Sequence, residues 1–314
     1  MHWPQNAVQA ARSRVSHPPR ICVIFNPTAR GEKAKRFRRH LDSIGADCAL
    51  KPTTAPGAAR TLAAEAARED FEVIVAAGGD GTVNEVLNGI AEDPENLLRV
   101  RLGVLPLGTI NVFARELGLS LDWRRAWGII RRGRVAAIDL PQVEFTANGE
   151  PQRRYFAQLA GAGLDARAIE LVNWNLKKKI GFFAYVVAVM SAFRREPSSI
   201  LIDGLVQPIS GEQVLVGNGR FYGGPVVVFP NAKLSDGLLD VCVFPRVTWR
   251  TVMSCALGLV IGRLHKAGGA RHFQAASFTL TASTPAPLEI DGEKIGELPA
   301  RFSIRRQLLQ VLVP

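Results

Sequence analysis

The chain has 314 residues, enough for two domains with separate cores, and carries 39 Lys and Arg against 28 Asp and Glu, a formal net charge of +11. So basic a molecule is drawn to polyphosphate, nucleic acid or an anionic membrane rather than to cationic partners, and charge alone does not choose among the three. Cys22, Cys48, Cys242 and Cys255 lie in apolar strand or helix contexts without a C-x-x-C pair, which argues against a zinc site or a disulfide framework and suits a reducing cytoplasm.

Residues 1–19 carry Arg12, Arg14 and several Pro, Gln and Ser but no apolar core of the kind a signal peptide requires, so a disordered tail is expected there. Arg20 to Phe25 reads as a buried strand, Asn26-Pro27 opens a turn, and a basic helix follows to about Ile44. Cys48 to Lys51 is a short strand, Thr53 and Thr54 occupy the next turn, and Ala58 to Ala67 is an Ala-rich helix. Val73 to Ala77 is apolar, Gly78 to Gly81 interrupts it, and apolar residues resume at helical spacing from Thr82. Leu102 to Leu105 is a further strand, ended by Pro106-Leu107-Gly108-Thr109, before a helix over Asn111 to Leu117. This alternation predicts a parallel sheet covered by helices, with a ligand outside the carboxyl ends of its strands. The turns at Asn26, Thr53, Gly78 to Thr82 and Gly108 to Asn111 all fall at those ends.

After about Leu140 the pattern changes. Gln142 to Ala147, Asn148-Gly149 and Arg154 to Leu159 give a hairpin signal, and short strands dominate from there on. Ile180 to Phe193 is too short to span a bilayer; with Lys177 to Lys179 before it and Arg194 and Arg195 after it, the segment is either a buried helix or one lying on a membrane surface. Thr248 to Leu264 reads as one amphipathic helix.

The organising stretch is Phe71 to Val86, FEVIVAAGGDGTVNEV: a strand, a glycine turn and a helix start. Glycines there let the backbone approach a ligand, and the unpaired N–H groups of the first helical turn favour an anion, phosphate above all. Asn84 holds the place of the third glycine of a dinucleotide fingerprint, and no Gly-Lys-Ser/Thr ends the loop as in a Walker motif. Asp80 inside the turn would repel a bare polyphosphate unless a divalent cation, or a donor to its carboxylate, lay between them. A metal-nucleotide complex is the inference, against an ordinary turn with a solvated Asp.

These residues resemble the diacylglycerol kinase-type lipid kinases of bacteria, relatives of sphingosine and ceramide kinases, from about Arg20 to the C-terminus. The motifs are Asn26-Pro27, Gly78-Gly79-Asp80-Gly81-Thr82 with Asn84-Glu85, Leu105 to Thr109 with Asn111, Gly161 to Asp165, Tyr222-Gly223-Gly224, Asp236 to Asp240, and Asp291-Gly292-Glu293. The resemblance implies an α/β N-terminal domain of NAD kinase or phosphofructokinase type, with a mostly parallel sheet and flanking helices, over residues 20–140. It implies a β-rich, sandwich-like lipid- and metal-binding domain over 141–301, and a C-terminal segment, 302–314, that returns to the first domain.

It further implies transfer of a phosphoryl group from ATP to a lipid hydroxyl. ATP would contact Asn26, Thr53, Gly78, Gly79, Asp80, Gly81, Thr82, Asn84, Gly108 and Thr109. Mg²⁺ would be held by the Asp236 carboxylate with the carbonyls of Lys233 and Leu238. Glu293 matches the family's general base, Asp80 is its rival and otherwise serves the metal and phosphate network, and Asp165 matches an acid that organises metal-bound water. Val112 stands where many members place Asp, which weakens that network. The partners so implied are ATP, a lipid and the surface of an anionic membrane, with a homodimer allowed. A nucleic-acid role rests on charge alone, because strand-borne aromatic patches and helix-turn-helix signals are lacking. The competing functions are an NAD or sugar kinase on the related fold and a catalytically weak nucleotide- or lipid-sensing module.

Overall fold

The computed structural model describes residues 19–29, 31–163 and 198–314. The expected tail up to residue 18, Asp165 and the apolar run Ile180 to Phe193 lie outside the described residues.

The first half alternates strand and helix: β1 (Ile21–Phe25), α1 (Glu32–Arg38), α2 (Leu41–Gly45), β2 (Ala49–Pro52), α3 (Ala58–Arg68), β3 (Val73–Gly78), α4 (Asp80–Ile90), α5 (Asn96–Arg99), β4 (Arg101–Pro106), α6 (Val112–Glu116) and α7 (Trp123–Arg132). β1 and β3 are buried along almost their whole length, as parallel strands covered on both faces must be. The helix expected to run to Ile44 is instead two, because His40, at φ −120° and ψ 12°, leaves helical geometry.

α3 and α4 lie close because small residues face each other. Ala59, Ala63, Ala66 and Ala67 are buried on α3, and a Cβ on Gly89 of α4 would run into the Arg60 carbonyl. Glu85 of α4 caps its neighbour, accepting the N–H groups of Gly57 and Ala59 at 3.1 Å each.

The second half is mostly β: β5 (Val135–Ala147), β6 (Glu150–Tyr155), β7 (Leu159–Gly163), β8 (Ile200–Asp203), β9 (Ile209–Gly211), β10 (Gln213–Gly217), β11 (Phe221–Tyr222), β12 (Val226–Val227) and β13 (Leu239–Phe244). After α8 (Trp249–Val260) come β14 (Arg271–Ala275), β15 (Ser277–Ala282), β16 (Pro287–Ile290), β17 (Glu293–Glu297) and β18 (Ala300–Leu312). The β5–β6 hairpin turns at Asn148 and Gly149, both at positive φ (53° and 79°), the backbone of a type I′ turn. α8 is shorter than its amphipathic pattern suggests: Thr248 and Thr251 form a capping box at its start, and Gly262 at φ 69° follows its end.

Among the described residues, β2, β1, β3 and β4 form a parallel run whose sheet continues through β18, β15, β8 and β9, with β5 and β6 attached through β18. A second, antiparallel sheet has the order β14-β13-β10-β7-β16-β17. β5 and β18 are each 13 residues long and pair with one another, so the residues expected to bound the domains, 140/141 and 301/302, fall inside continuous strands. Near its end β18 meets β4, Val311 opposite Leu102.

The β5–β18 ladder shifts register between Arg305 and Leu309, and Asp139 sits opposite this bulge. Asp139 is fully buried; its carboxylate accepts the Gln307 N–H at 2.7 Å and the Gly237 N–H at 2.6 Å, and its own N–H donates to the Leu234 carbonyl. Burial pushes its pKa up, against the pull of those two donors. One acid thus fastens the loop before β13 to the strands that join the two halves. Asp139→Ala would leave the buried Gly237 N–H and the part-buried Gln307 N–H without an acceptor and should destabilise the protein by about 3 kcal/mol, read as a lower urea midpoint.

Candidate active site

The glycine turn is packed without room for side chains. A Cβ on Gly78 would strike the Thr82 side chain, and one on Gly108 would stand 2.5 Å from the Gly79 Cα and 2.8 Å from Asn111 Oδ1. The two turns are also stitched together, since the Gly78 carbonyl accepts the N–H groups of Leu107 at 2.9 Å and Gly108 at 3.2 Å. Asn111, buried and in left-handed backbone (φ 54°), locks the second turn by accepting from Gly108 N–H at 3.0 Å and donating to Gly108 O at 2.7 Å. Thr109 stands exposed at the tip.

Asp80 has its donor. Its Oδ1 accepts the Phe113 N–H in the first turn of α6 at 3.1 Å, so the carboxylate is held to one side of the glycine turn. The first hydrogen bond of α4 runs from Val83 N–H to Gly79 O, which leaves the N–H groups of residues 80–82 outside the helical ladder. A cleft of about 160 Å³ opens here, lined by Asn26, Gly78, Gly79, Thr82 and Gly108 with Ala34, Phe37 and Leu107 on its apolar side. Small-molecule pockets begin at roughly 300 Å³, so the cleft accommodates a phosphate group rather than a whole nucleotide. A wider trough of about 670 Å³ runs along α7 past Arg124, Arg125 and Arg132 and shares no residue with the turn.

Asn26 Oδ1 accepts the N–H and the hydroxyl of Thr28 at 2.8 and 2.9 Å, which shapes the turn after β1. Thr53 is half-buried beside it, its N–H donating to Phe25 O at 2.8 Å. Asn84 is placed differently from a ligand contact. It is buried, and its side-chain N–H₂ donates to Asp291 Oδ2 at 2.7 Å and to Tyr155 O at 3.2 Å, while its Oδ1 accepts from Asn88.

Asp291 completes that seam. Its carboxylate also accepts the N–H groups of Ala157 (2.8 Å), Gln158 and Leu159 (3.0 Å each). Enclosure pushes its pKa up and the four N–H donors oppose this. Asp291 and Gly292, at φ 46° and 86°, are the two turn residues between Ile290 and Glu293, which pair directly. Glu293 therefore begins β17 two residues beyond an anchor on α4. It is exposed, and its charge acts together with that of Glu85 in stabilising the Arg154 cation, whose pKa burial and Arg60 lower.

The loop expected to hold a cation presents Lys233 exposed and Asp236 and Leu238 half-buried. Asp236 Oδ1 accepts the Leu238 N–H at 3.1 Å, and Arg306 donates to the Asp236 carbonyl at 3.0 Å. Burial, reinforced by the nearby Asp236, raises the pKa of Asp240 to about 6. No three Asp, Glu, His or Cys side chains converge on one point among the described residues, so an ion at Asp236 would depend on carbonyl oxygens.

Sequence reasoning assigned no role to Glu116 or Asn88. Glu116 is 1% exposed and accepts from Arg220 N (2.7 Å) and Nε (3.0 Å), Phe221 N (3.2 Å) and Gln158 Nε2 (3.2 Å), a second tie between the halves. No local pattern marks such an acid. Asn88 holds Tyr155 by both its backbone N–H and its carbonyl, and its signal was available: it stands one helical turn after Asn84 on the same face.

Two outcomes follow. If the turn holds ATP as the resemblance implies, Gly108→Ala should weaken that binding about tenfold or more by forcing the two glycine turns apart, measured by titration with a fluorescent ATP analogue against an unchanged circular dichroism spectrum. Asp291→Ala should cost about 3 kcal/mol in denaturant unfolding and also lower kcat, whereas Asp291→Asn, which keeps one acceptor oxygen, should recover part of both.

Residues 20–143 match the family model described as "Diacylglycerol kinase catalytic domain", and residues 158–313 match "YegS C-terminal NAD kinase beta sandwich-like domain". The diacylglycerol kinase of Staphylococcus saprophyticus is 30% identical over 305 residues, covering 94% of this chain and 95% of the relative. That of Staphylococcus carnosus is 30% identical over 302 residues, with the same coverage of each chain. Among solved structures, a diacylglycerol kinase from Bacillus anthracis str. Sterne has a TM-score of 0.67 at 22% identity, covering 94% of this chain and 97% of that one. Yeast NADH kinase complexed with NADH shares the fold more distantly, with a TM-score of 0.54 at 9% identity over 95% and 84% of the two chains. With relatives of 30% identity aligned over nearly its whole length, this chain belongs to the diacylglycerol kinase family and is a lipid kinase.

Proposed function

We propose that the chain transfers the γ-phosphoryl group of magnesium-bound ATP to the hydroxyl of diacylglycerol or a closely related lipid alcohol. The observation that carries this reading is the bond from Asn84 to Asp291, which draws the Asp291-Gly292-Glu293 turn of the second half onto the helix that begins at the glycine turn. The phosphates lie against the N–H groups of residues 80–82, in the cleft lined by Asn26, Gly78, Gly79, Thr82 and Gly108. Thr53 and Thr109 stand at neighbouring strand ends as further nucleotide contacts. The lipid occupies the cleft between an α/β lobe, residues 20–140 with 302–314, and a β-rich lobe, residues 141–301.

Glu293 is the general base. The lipid O–H bond breaks with its proton passing to the Glu293 carboxylate, the oxygen forms a bond to the γ-phosphorus, and the bond from that phosphorus to ADP breaks. Exposure suits this role, since the carboxylate can meet an incoming hydroxyl, and Asp291 fixes where it waits. Asp80, drawn aside by Phe113 N–H, belongs to the phosphate network together with Asp165.

The donor set around Asp236, a carboxylate with the carbonyls of Lys233 and Leu238, fits a hard cation, which takes oxygen ligands of both kinds. When bound, Mg²⁺ supplies positive charge that offsets polyphosphate and acidic repulsion. The strong positive charge of the chain supports work at an anionic membrane surface, where the acceptor lipid resides.

Purified protein given labelled ATP, Mg²⁺ and diacylglycerol in mixed micelles should yield labelled phosphatidic acid, and EDTA should stop the reaction. Absence of labelled lipid across a panel of lipid alcohols, with a control kinase active, would overturn the reading; NADP⁺ formed from NAD⁺ would move it to a nucleotide acceptor. Glu293→Gln should lower kcat about a hundredfold or more with little change in the KM for ATP, and its unfolding midpoint should stay that of the wild type.

A further inference from the structure

Eight large apolar side chains are strongly exposed among the described residues, and five of them belong to α8 and the residue that ends it: Trp249 (56%), Met253 (52%), Leu257 (62%), Val260 (84%) and Ile261 (58%). At about 100° per residue they occupy one arc of roughly 120°, a continuous stripe along the helix. The opposite side is already used. Cys255 and Leu264 pack on the apolar cluster of Leu215, Phe229 and Cys242, and a Cβ on Gly258 would lie 2.8 Å from that of Ala267. The helix is therefore held in place with its second apolar face uncovered by the described residues. Isolated exposed apolar residues are ordinary on protein surfaces, but a contiguous stripe marks an interaction site.

Charge says what covers it. From residue 241 to residue 288 the chain contains no Asp or Glu, and the five cations of this segment, Arg246, Arg250, Arg263, Lys266 and Arg271, are all exposed around the two ends of α8. Among the described residues Glu212 reaches the helix start, where its carboxylate accepts the Val247 N–H at 2.6 Å. A second copy of this chain, meeting the stripe about a two-fold axis, would bring these cations against their own counterparts and strip water from them. An anionic bilayer does the reverse: it takes up the apolar stripe at the level of its headgroups, with Trp249 suited to that boundary, and attracts the flanking cations.

We infer that α8 is a membrane-docking helix that lies in the interface of an anionic leaflet, its Trp249–Ile261 stripe among the acyl chains and its flanking Arg and Lys at the lipid phosphates. It is distinct from the apolar run Ile180 to Phe193. This inference rests on the reading that the enzyme works at an anionic membrane, and it names the face that does so.

The full-length protein should be sedimented with vesicles of phosphatidylcholine alone and of phosphatidylcholine with phosphatidylglycerol. The wild type should partition onto the anionic vesicles in preference, less so at high salt, and the double variant Met253→Glu, Leu257→Glu should lose about tenfold or more of that partition. Both positions are exposed, so the variant should fold, and its turnover of short-chain diacylglycerol in detergent micelles should match the wild type. As an independent readout, brominated lipid should quench the fluorescence that the wild type has in excess of a Trp249→Phe variant. Partition unchanged in the double variant, no preference for anionic vesicles, or an unquenched Trp249 would overturn the inference, as would a wild-type dimer without lipid that the double variant dissolves. Failure of the wild type to turn over micellar diacylglycerol would instead count against the catalytic reading and leave the vesicle result standing.

Discussion

The Asp291 carboxylate is the constraint on which the site depends. It gathers four N–H groups, one from the side chain of Asn84 on the helix after the glycine turn and three from the backbone of residues 157–159 leading into the second sheet. Removing a carboxylate from water is costly unless its oxygens are fully matched, and here each accepts two N–H groups. The loop between β16 and β17 is a tight two-residue turn, so anchoring Asp291 also positions Glu293. Two acids two residues apart therefore have opposite environments. Asp291 is held by four N–H groups, and Glu293 stands exposed beyond it.

A comparable division of labour accounts for an acid inside the glycine turn. Asp80 would oppose an anion if its carboxylate faced the cleft, but the first turn of α6 supplies a donor at Phe113. That donor is in place because α6 begins at Asn111, whose left-handed backbone and two bonds to Gly108 set where the helix starts. Gly79 and Gly108 in turn let the two loops touch, and any side chain at Gly108 would separate them. The glycines of this motif thus act through loop-to-loop packing as well as through access for a ligand. The Val112 position adjoins this junction, and the bond from Phe113 N–H to Asp80 forms without an acid there.

Much of this was legible in the sequence because the signals are local. The buried runs Ile21–Phe25 and Val73–Gly78, the Asn148-Gly149 turn and the glycine clusters each dictate backbone over a few residues, and the strands and turns form where those signals stand. The ties between the halves were not legible, for the opposite reason. The family resemblance makes Asn84 an ATP contact, and only the fold brings Tyr155 and Asp291 to it, 71 and 207 residues further along the chain. Glu116 and Asp139 read as ordinary acids until Arg220, Gly237 and Gln307 arrive from far along the chain. The β18 strand likewise gives no local hint that one element will pair with β4, β5 and β15 together.

The placement of charge follows from these ties. The buried ionisable acids and bases among the described residues, Glu116, Asp139, Asp240 and Glu289, are all acidic, and no Lys or Arg is buried with them. A chain with net charge +11 that takes acids into its interior has an outer surface still more basic than its composition suggests. Asp139, Glu116 and Asp291 lie where the two halves meet, and each is held there by N–H donors from distant parts of the chain. The cations remain outside. The same segregation gives the molecule a basic exterior, which attracts anions, over an interior whose acids Glu116 and Asp139 are held by N–H groups.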